Sequence, residues 1–244
     1  MKIGGLEKFS MIDYPDSLSA VVFTIGCTFR CPFCYNPMLV PNGRSQYTSP
    51  RGEEEEGQSS SFDEDGLFQF LESRKGKLDA VVVTGGEPTM HADLPDFLKK
   101  IKAMGFKLKL DTNGTNPEML KKVLEDGMVD YLAMDIKCDQ LGYEAASGVK
   151  FDFGKIEESV KIIKDSGLPY EFRTTCVPGF LTKEAVENIG LFIEGSPTWY
   201  LQNFKSDADM IDSCLKGKLG FSAKEMEEFA TIGKKYVKVC EVRG

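Results

Sequence analysis

Cys27, Cys31 and Cys34 fall within eight residues, in the stretch CTFRCPFCYNP, with the spacing C-x3-C-x2-C. Thiols this close support three kinds of chemistry. A C-x2-C pair following a strand can exchange disulfides; here it would be Cys31 and Cys34, leaving Cys27 surplus. Thiolates can also close a structural zinc site, but zinc takes four nitrogen or sulfur ligands in a tetrahedron. The chain has a single histidine, His91, and no second C-x2-C. Third, the thiolates can hold an iron–sulfur cluster. Common clusters take four cysteines, so three leave one iron open, and an open metal position is where catalysis occurs. Gly26 permits the close turn that would start such a loop. Cys138, Cys176, Cys214 and Cys240 show no ligand spacing and read as packing or surface thiols. Of these, Cys138 and Cys176 lie nearest the polar loops described next.

Positioning the cysteine loop requires a scaffold. Residues 18–25 (LSAVVFTI) form an apolar, β-favouring run that delivers Gly26 and the cysteines. Further strands are predicted over 79–84, 106–110, 129–136, 171–177, 199–203 and 236–242. Helices are predicted over 62–74, 94–104, 117–125, 155–165, 183–193 and 223–235, from apolar periodicity and from acids or Pro in first turns. This alternation implies a parallel sheet with helices packed outside it. Six or seven strands make an incomplete barrel, a partial (β/α)6 fold. Polar and glycine-rich segments follow the strands: GCTFRC, TGGEP, DTNGT, MDIKC, RTTCVPG and LQNF. Ligands of parallel α/β folds bind at those carboxyl ends, so the loops are expected to face one site.

The chain of 244 residues reads as one domain over 1–244. Within it, residues 41–61 (PNGRSQYTSPRGEEEEGQSSS) hold almost no apolar residue and are expected to form a flexible acidic, Ser-rich insertion. A net charge of −8 argues against a general nucleic-acid binder, which needs a basic face. No long apolar run predicts a membrane span and no signal-peptide core is present. A cytoplasmic protein with reduced thiols is therefore expected.

The cysteine spacing, with Phe33 before the last cysteine, is similar to the signature of the radical S-adenosylmethionine enzymes, and Gly85-Gly86-Glu87-Pro88 follows at strand-and-helix distance. Residues 4–37, then TGGEP, DTNG, DIK and RTTCVPG, resemble the activating enzymes of glycyl radical enzymes. The resemblance is greatest to the activators of anaerobic ribonucleoside-triphosphate reductase, and it covers about residues 4–204 with gaps. It implies that Cys27, Cys31 and Cys34 ligate one [4Fe–4S] cluster whose fourth iron is chelated by S-adenosylmethionine. It implies a flavodoxin or ferredoxin as electron donor, anaerobic life, and a glycyl radical enzyme as partner, with anaerobic ribonucleotide reductase first. The activity implied is reductive cleavage of S-adenosylmethionine to a 5′-deoxyadenosyl radical that removes a glycine α-hydrogen. The rival expectations are a radical enzyme acting on a small molecule or nucleotide, and a non-catalytic iron–sulfur electron carrier.

By the same resemblance, Phe33 and Tyr35 flank the adenine. Gly85 and Gly86 let backbone approach the cofactor, and Glu87 accepts from the methionine ammonium. Asp111 and Thr112 hold a monovalent cation, Asp135 shares that work or binds ribose, and Lys137 reaches the ribose or carboxylate. Arg173 suits a carboxylate because its guanidinium is a rigid fork. Related activators often carry histidines where this chain has Tyr35 and, on the late strand, Gln202 or Asn203; either amide can donate to a hydroxyl. No eight-cysteine insertion follows Cys34, so a single cluster is expected.

Overall fold

In the computed structural model, which describes residues 1–40, 63–207 and 209–243, the apolar runs form one eight-stranded sheet. Its strands are β1 (Ile3–Ser10), β2 (Ser19–Thr24), β3 (Ala80–Gly85), β4 (Lys107–Thr112), β5 (Tyr131–Asp135), β6 (Tyr170–Cys176), β7 (Thr198–Asn203) and β8 (Val239–Arg243). Spatial order equals sequence order. The strands β2 to β8 are all parallel, and β1 pairs antiparallel with β2. The inner faces of all seven parallel strands line one cavity, so the sheet curls into a partial barrel. The 41–61 stretch lies outside the described residues.

Besides three single-turn 3-10 helices, the described residues form seven α-helices: α1 (Glu64–Arg74), α2 (Leu94–Ala103), α3 (Pro117–Glu125), α4 (Tyr143–Ser147), α5 (Gly154–Asp165), α6 (Lys183–Phe192) and α7 (Ala223–Gly233). Their starts follow local chemistry. Side chains of Asp63, Asn116 and Thr182 accept from backbone N–H groups of the first turns of α1, α3 and α6. Ser222 and Glu225 form a reciprocal capping box on α7. Gly105 follows α2 at φ +93°, as a left-handed stop.

Strand alternation decides what each side of the sheet holds. On β3, Val81 and Val83 join Leu94, Phe97, Leu98 and Ile101 of α2 in the outer core, while Ala80 and Val82 turn inward beside Tyr14 and Val21. On β4, Leu108 and Leu110 face the helices, and Lys109 and Asp111 line the cavity. Two elements were not expected. The strand β1 buries only its end residues and carries two glycines and three charged or polar side chains, so this edge strand leaves no apolar run to read. The helix α4 has five residues, too few for periodicity. It matters to the site nonetheless, because Arg30 N–H donates to the Ser147 carbonyl at 2.8 Å and buttresses the cysteine loop.

Candidate active site

The cysteine loop leaves β2 at Gly26, whose φ of +102° only glycine adopts readily. Gly26 N–H donates to the Leu39 carbonyl at 2.7 Å and closes the loop's base. Inside the loop, the Arg30 guanidinium donates to the carbonyls of Cys27 (2.8 Å) and Phe29 (2.7 Å). All three thiols line a cavity of about 1170 Å3 that runs through the barrel. Among the described residues no other cysteine lines it: Cys138, Cys176 and Cys240 are buried elsewhere and Cys214 is exposed. Cys138 instead donates to the Phe180 carbonyl, and Cys176 packs in the outer core.

Burial pushes the Cys27 thiol up to about 11 and the Cys31 thiol up to about 12, with Lys137 opposing in both cases. Both are therefore neutral thiols at pH 7 in the metal-free chain, and a metal must displace their protons. Iodoacetamide labelling of Cys27 in metal-free protein is expected to accelerate about tenfold per pH unit from pH 7 to 9 without levelling. Peptide mapping by mass spectrometry checks this; a plateau near pH 8.5, the range of an ordinary thiol, would contradict it.

At the end of β3 both glycines line the cavity, and the protein's own backbone also crowds them. A Cβ on Gly86 would lie 1.7 Å from the Gly26 carbonyl oxygen, and one on Gly85 2.2 Å from Thr24 N. Their first requirement is thus the close crossing of the β3 turn over the cysteine loop, sealed by Glu87 N–H donating to Gly26 O at 2.7 Å. The Glu87 side chain has partners of its own within the protein. Its carboxylate is fully buried and does not line the cavity. It accepts from the Thr89 N–H and hydroxyl, from the Thr112 hydroxyl (2.8 Å) and from Asn113 N–H (2.6 Å). These bonds staple the β3 turn to the end of β4.

The remaining polar residues meet across strands. Parallel register sets Asp135 beside Arg173. Arg173 Nε donates to Asp135 Oδ1 at 2.8 Å and its Nη1 to Asp111 Oδ2 at 3.0 Å; Lys137 Nζ donates to Asp135 Oδ2 at 3.0 Å. Burial alone would raise Asp135, but the Arg173 and Lys137 cations outweigh it and hold the carboxyl below the usual range. Asp111 Oδ1 is buried and has no hydrogen-bond partner among the described residues. Phe33 is buried against Phe180, and Tyr35 stacks on Phe204 while its hydroxyl accepts from Lys205 N–H. Of the two late-strand amides, Asn203 is committed to the backbone of Phe221 through both ends. Gln202 lines the cavity with no such commitment.

Sequence reasoning missed a layer of side chains deeper in the barrel. Lys109, 2% exposed, donates to the Asp13 carbonyl (2.7 Å) and to Glu171 Oε1 (3.2 Å), and lies 3.7 Å from Asp111 Oδ1. Tyr131 hydroxyl donates to Glu171 Oε2 at 3.0 Å. Burial and that carboxylate push the Tyr131 phenol up. The signal was present as the alternation KLKLD, in which every second residue is charged.

The model of the Radical SAM superfamily matches residues 21–192. A Methanocaldococcus jannaschii protein, provisionally named a glycyl-radical enzyme activating enzyme, is 31% identical over 99% of this chain and 95% of its own length. A pyruvate formate-lyase-activating enzyme of Listeria monocytogenes is 29% identical over 56% of this chain and 53% of its own. The crystal structure of Streptococcus suis SuiB bound to precursor peptide SuiA shares the fold, with a TM-score of 0.63 at 13% identity. It covers 92% of this chain, which spans about half of that one (48%). The donor set also fits the group such relatives imply. Three thiols face one cavity, no further cysteine is available there among the described residues, and the cavity extends beyond them for a ligand on a remaining iron. No three His, Cys, Asp or Glu side chains among the described residues gather closely enough for a single ion. A cubane does not ask for that, since its thiolates bind separate irons. No described helix is long and apolar enough to cross a membrane.

Proposed function

We propose, from the premise that this chain belongs to the Radical SAM superfamily and within it to the glycyl-radical enzyme activating enzymes, that it activates an anaerobic ribonucleotide reductase. The observation that carries the site assignment is the convergence of three thiols and the polar ends of β3 to β7 on one cavity. Cys27, Cys31 and Cys34 would hold a [4Fe–4S] cluster. Once bound, the cluster would supply reductive chemistry: with one electron from a flavodoxin or ferredoxin it would cleave the sulfonium of S-adenosylmethionine to methionine and a 5′-deoxyadenosyl radical, which would take a hydrogen atom from a partner glycine α-carbon.

The chain's own residues bind and orient. The Arg173 fork and the Lys137 ammonium supply fixed donors for the methionine carboxylate or the ribose, held in place by Asp135 and Asp111. Phe33 and Tyr35 offer aromatic faces to the adenine, and Gln202 offers an uncommitted amide to a hydroxyl. Gly85 and Gly86 bring backbone, not side chain, to the cavity wall. A monovalent cation beside the methionine carboxylate would sit at Asp111, whose buried Oδ1 accepts no hydrogen bond and has the Lys109 ammonium 3.7 Å away; Thr112 would add a lone pair of its hydroxyl oxygen, which donates to Glu87 and accepts from Gly114 N–H. The choice of reductase over other glycyl radical enzymes rests on the resemblance of residues 4–37 and the later motifs.

Reconstituted, reduced protein is expected to consume S-adenosylmethionine and to raise a glycyl radical EPR signal in an anaerobic ribonucleotide reductase from the same organism. A signal raised in a pyruvate formate-lyase instead would reassign the partner. Cofactor cleavage with no radical in either would favour a small-molecule substrate.

A further inference from the structure

Asn113 stands on the turn after β4, 5% exposed, with both ends of its side-chain amide hydrogen-bonded. Its Oδ1 accepts from Thr115 N–H (3.0 Å) and the Thr115 hydroxyl (2.8 Å), which fixes which end of the amide is oxygen. Its Nδ2 carries two N–H groups; one donates to Thr28 Oγ1 at 3.0 Å and the other to Cys27 Sγ at 3.7 Å. Its backbone N–H donates to the buried Glu87 carboxylate. Thr28 and Thr115 hydroxyls close the ring at 2.8 Å. The amide is thus clamped from three sides and aimed at the first cysteine of the loop. The Phe29 N–H donates to the same sulfur at 3.4 Å.

We propose that Asn113 is a positioning residue that donates its side-chain amide to the Cys27 thiolate and raises the reduction potential of the cluster held there. This rests on the reading that Cys27 is a cluster ligand. Reduction adds one electron to the cluster, and part of the added charge resides on the ligand sulfurs. A donor aimed at a sulfur stabilises the reduced form more than the oxidised form, so the potential rises. The buried Glu87 carboxylate acts in the opposite sense on Cys27, disfavouring negative charge on that thiol. The two residues share one hydrogen bond, so the GGEP turn and the DTNG turn act on the same sulfur through Asn113.

The test is an EPR-monitored reductive titration of anaerobically reconstituted protein without S-adenosylmethionine, with iron content measured alongside. Asn113→Leu keeps the size and removes the donor. Its reduction equilibrium constant is expected to fall about threefold to tenfold, where tenfold is about 59 mV for one electron. Asn113→Asp is expected to fall further, because a carboxylate replaces the donor. A fully loaded Asn113→Leu protein with the wild-type potential overturns the proposal. If that variant does not load, the wild-type protein still decides. Grown with 15N-asparagine, it should show a nitrogen hyperfine coupling to the reduced cluster, and absence of that coupling overturns the proposal. A wild-type protein that assembles no cluster at all removes the cluster reading and this proposal together.

Discussion

Cys31→Ala is expected to abolish cluster binding and to lower S-adenosylmethionine cleavage by more than about 100-fold. Loss of an outer hydrogen-bond partner of a metal ligand costs about 10–100-fold, and loss of the ligand itself costs more. Cys31 is 8% exposed and its thiol faces the cavity, so the substitution leaves one small gap and no unpaired polar group. The fold should therefore persist, with far-UV circular dichroism unchanged and a melting temperature within a few degrees of wild type. Iron and sulfide assays, with absorbance of the reconstituted protein, provide the readout. Cys214→Ala is the matched control, because that thiol is exposed and outside the cavity; its iron content should equal wild type. A Cys31→Ala protein that retains a full complement of iron would remove this cysteine from the ligand set.

The second large effect is on stability. Lys109→Met is expected to destabilise the protein by about 3 kcal/mol, because it leaves the fully buried Glu171 without its nearest cation. The estimate sits at the low end for breaking a buried pair, since Arg243 and Arg173 remain 3.9 and 4.0 Å from the same carboxylate. Tyr131 hydroxyl also continues to donate to it. For a chain of this length the melting temperature should fall by roughly 6–12 °C. The cause can be separated from lost packing. Adding Glu171→Gln to Lys109→Met removes the stranded charge, so the double variant should recover part of the loss. Thermal unfolding of the three variants closes the cycle. A double variant less stable than Lys109→Met would show that Glu171 is held by the remaining arginines and does not depend on Lys109.

The parallel barrel was legible because its strands are short apolar runs that end in glycine or polar turns, and its helices carry caps and apolar stripes. The edge strand Ile3–Ser10 was not, because a strand that buries little writes no pattern. Within the site, Asp111, Asp135, Lys137 and Arg173 were found from motif position, and parallel register then places them within hydrogen-bonding distance of one another. Asn113 escaped notice although it sits inside DTNG. Nothing in the sequence shows that the turn after β4 crosses the cysteine loop, 86 residues earlier. The same holds for the glycine pair. Its residue type was anticipated, but the neighbours that crowd it belong to the protein itself: the Gly26 carbonyl at Gly86 and the Thr24 backbone at Gly85.

By itself, the sequence determined the chemistry available to this protein: three thiolates on one loop, too few to saturate a cluster, and a series of polar turns at strand ends. Those properties are local, set by spacing along the chain and by the intrinsic preferences of glycine, proline and apolar runs. Only the tertiary structure decided which polar groups remain free to act. Glu87 and Asn203 are consumed by partners 26 and 18 residues away, whereas Gln202 lines the cavity without such a commitment. Hydrogen-bond satisfaction depends on distance in space, and burial makes each unsatisfied or satisfied group energetically distinct. A one-dimensional chain does not carry that information until its strands are brought into register.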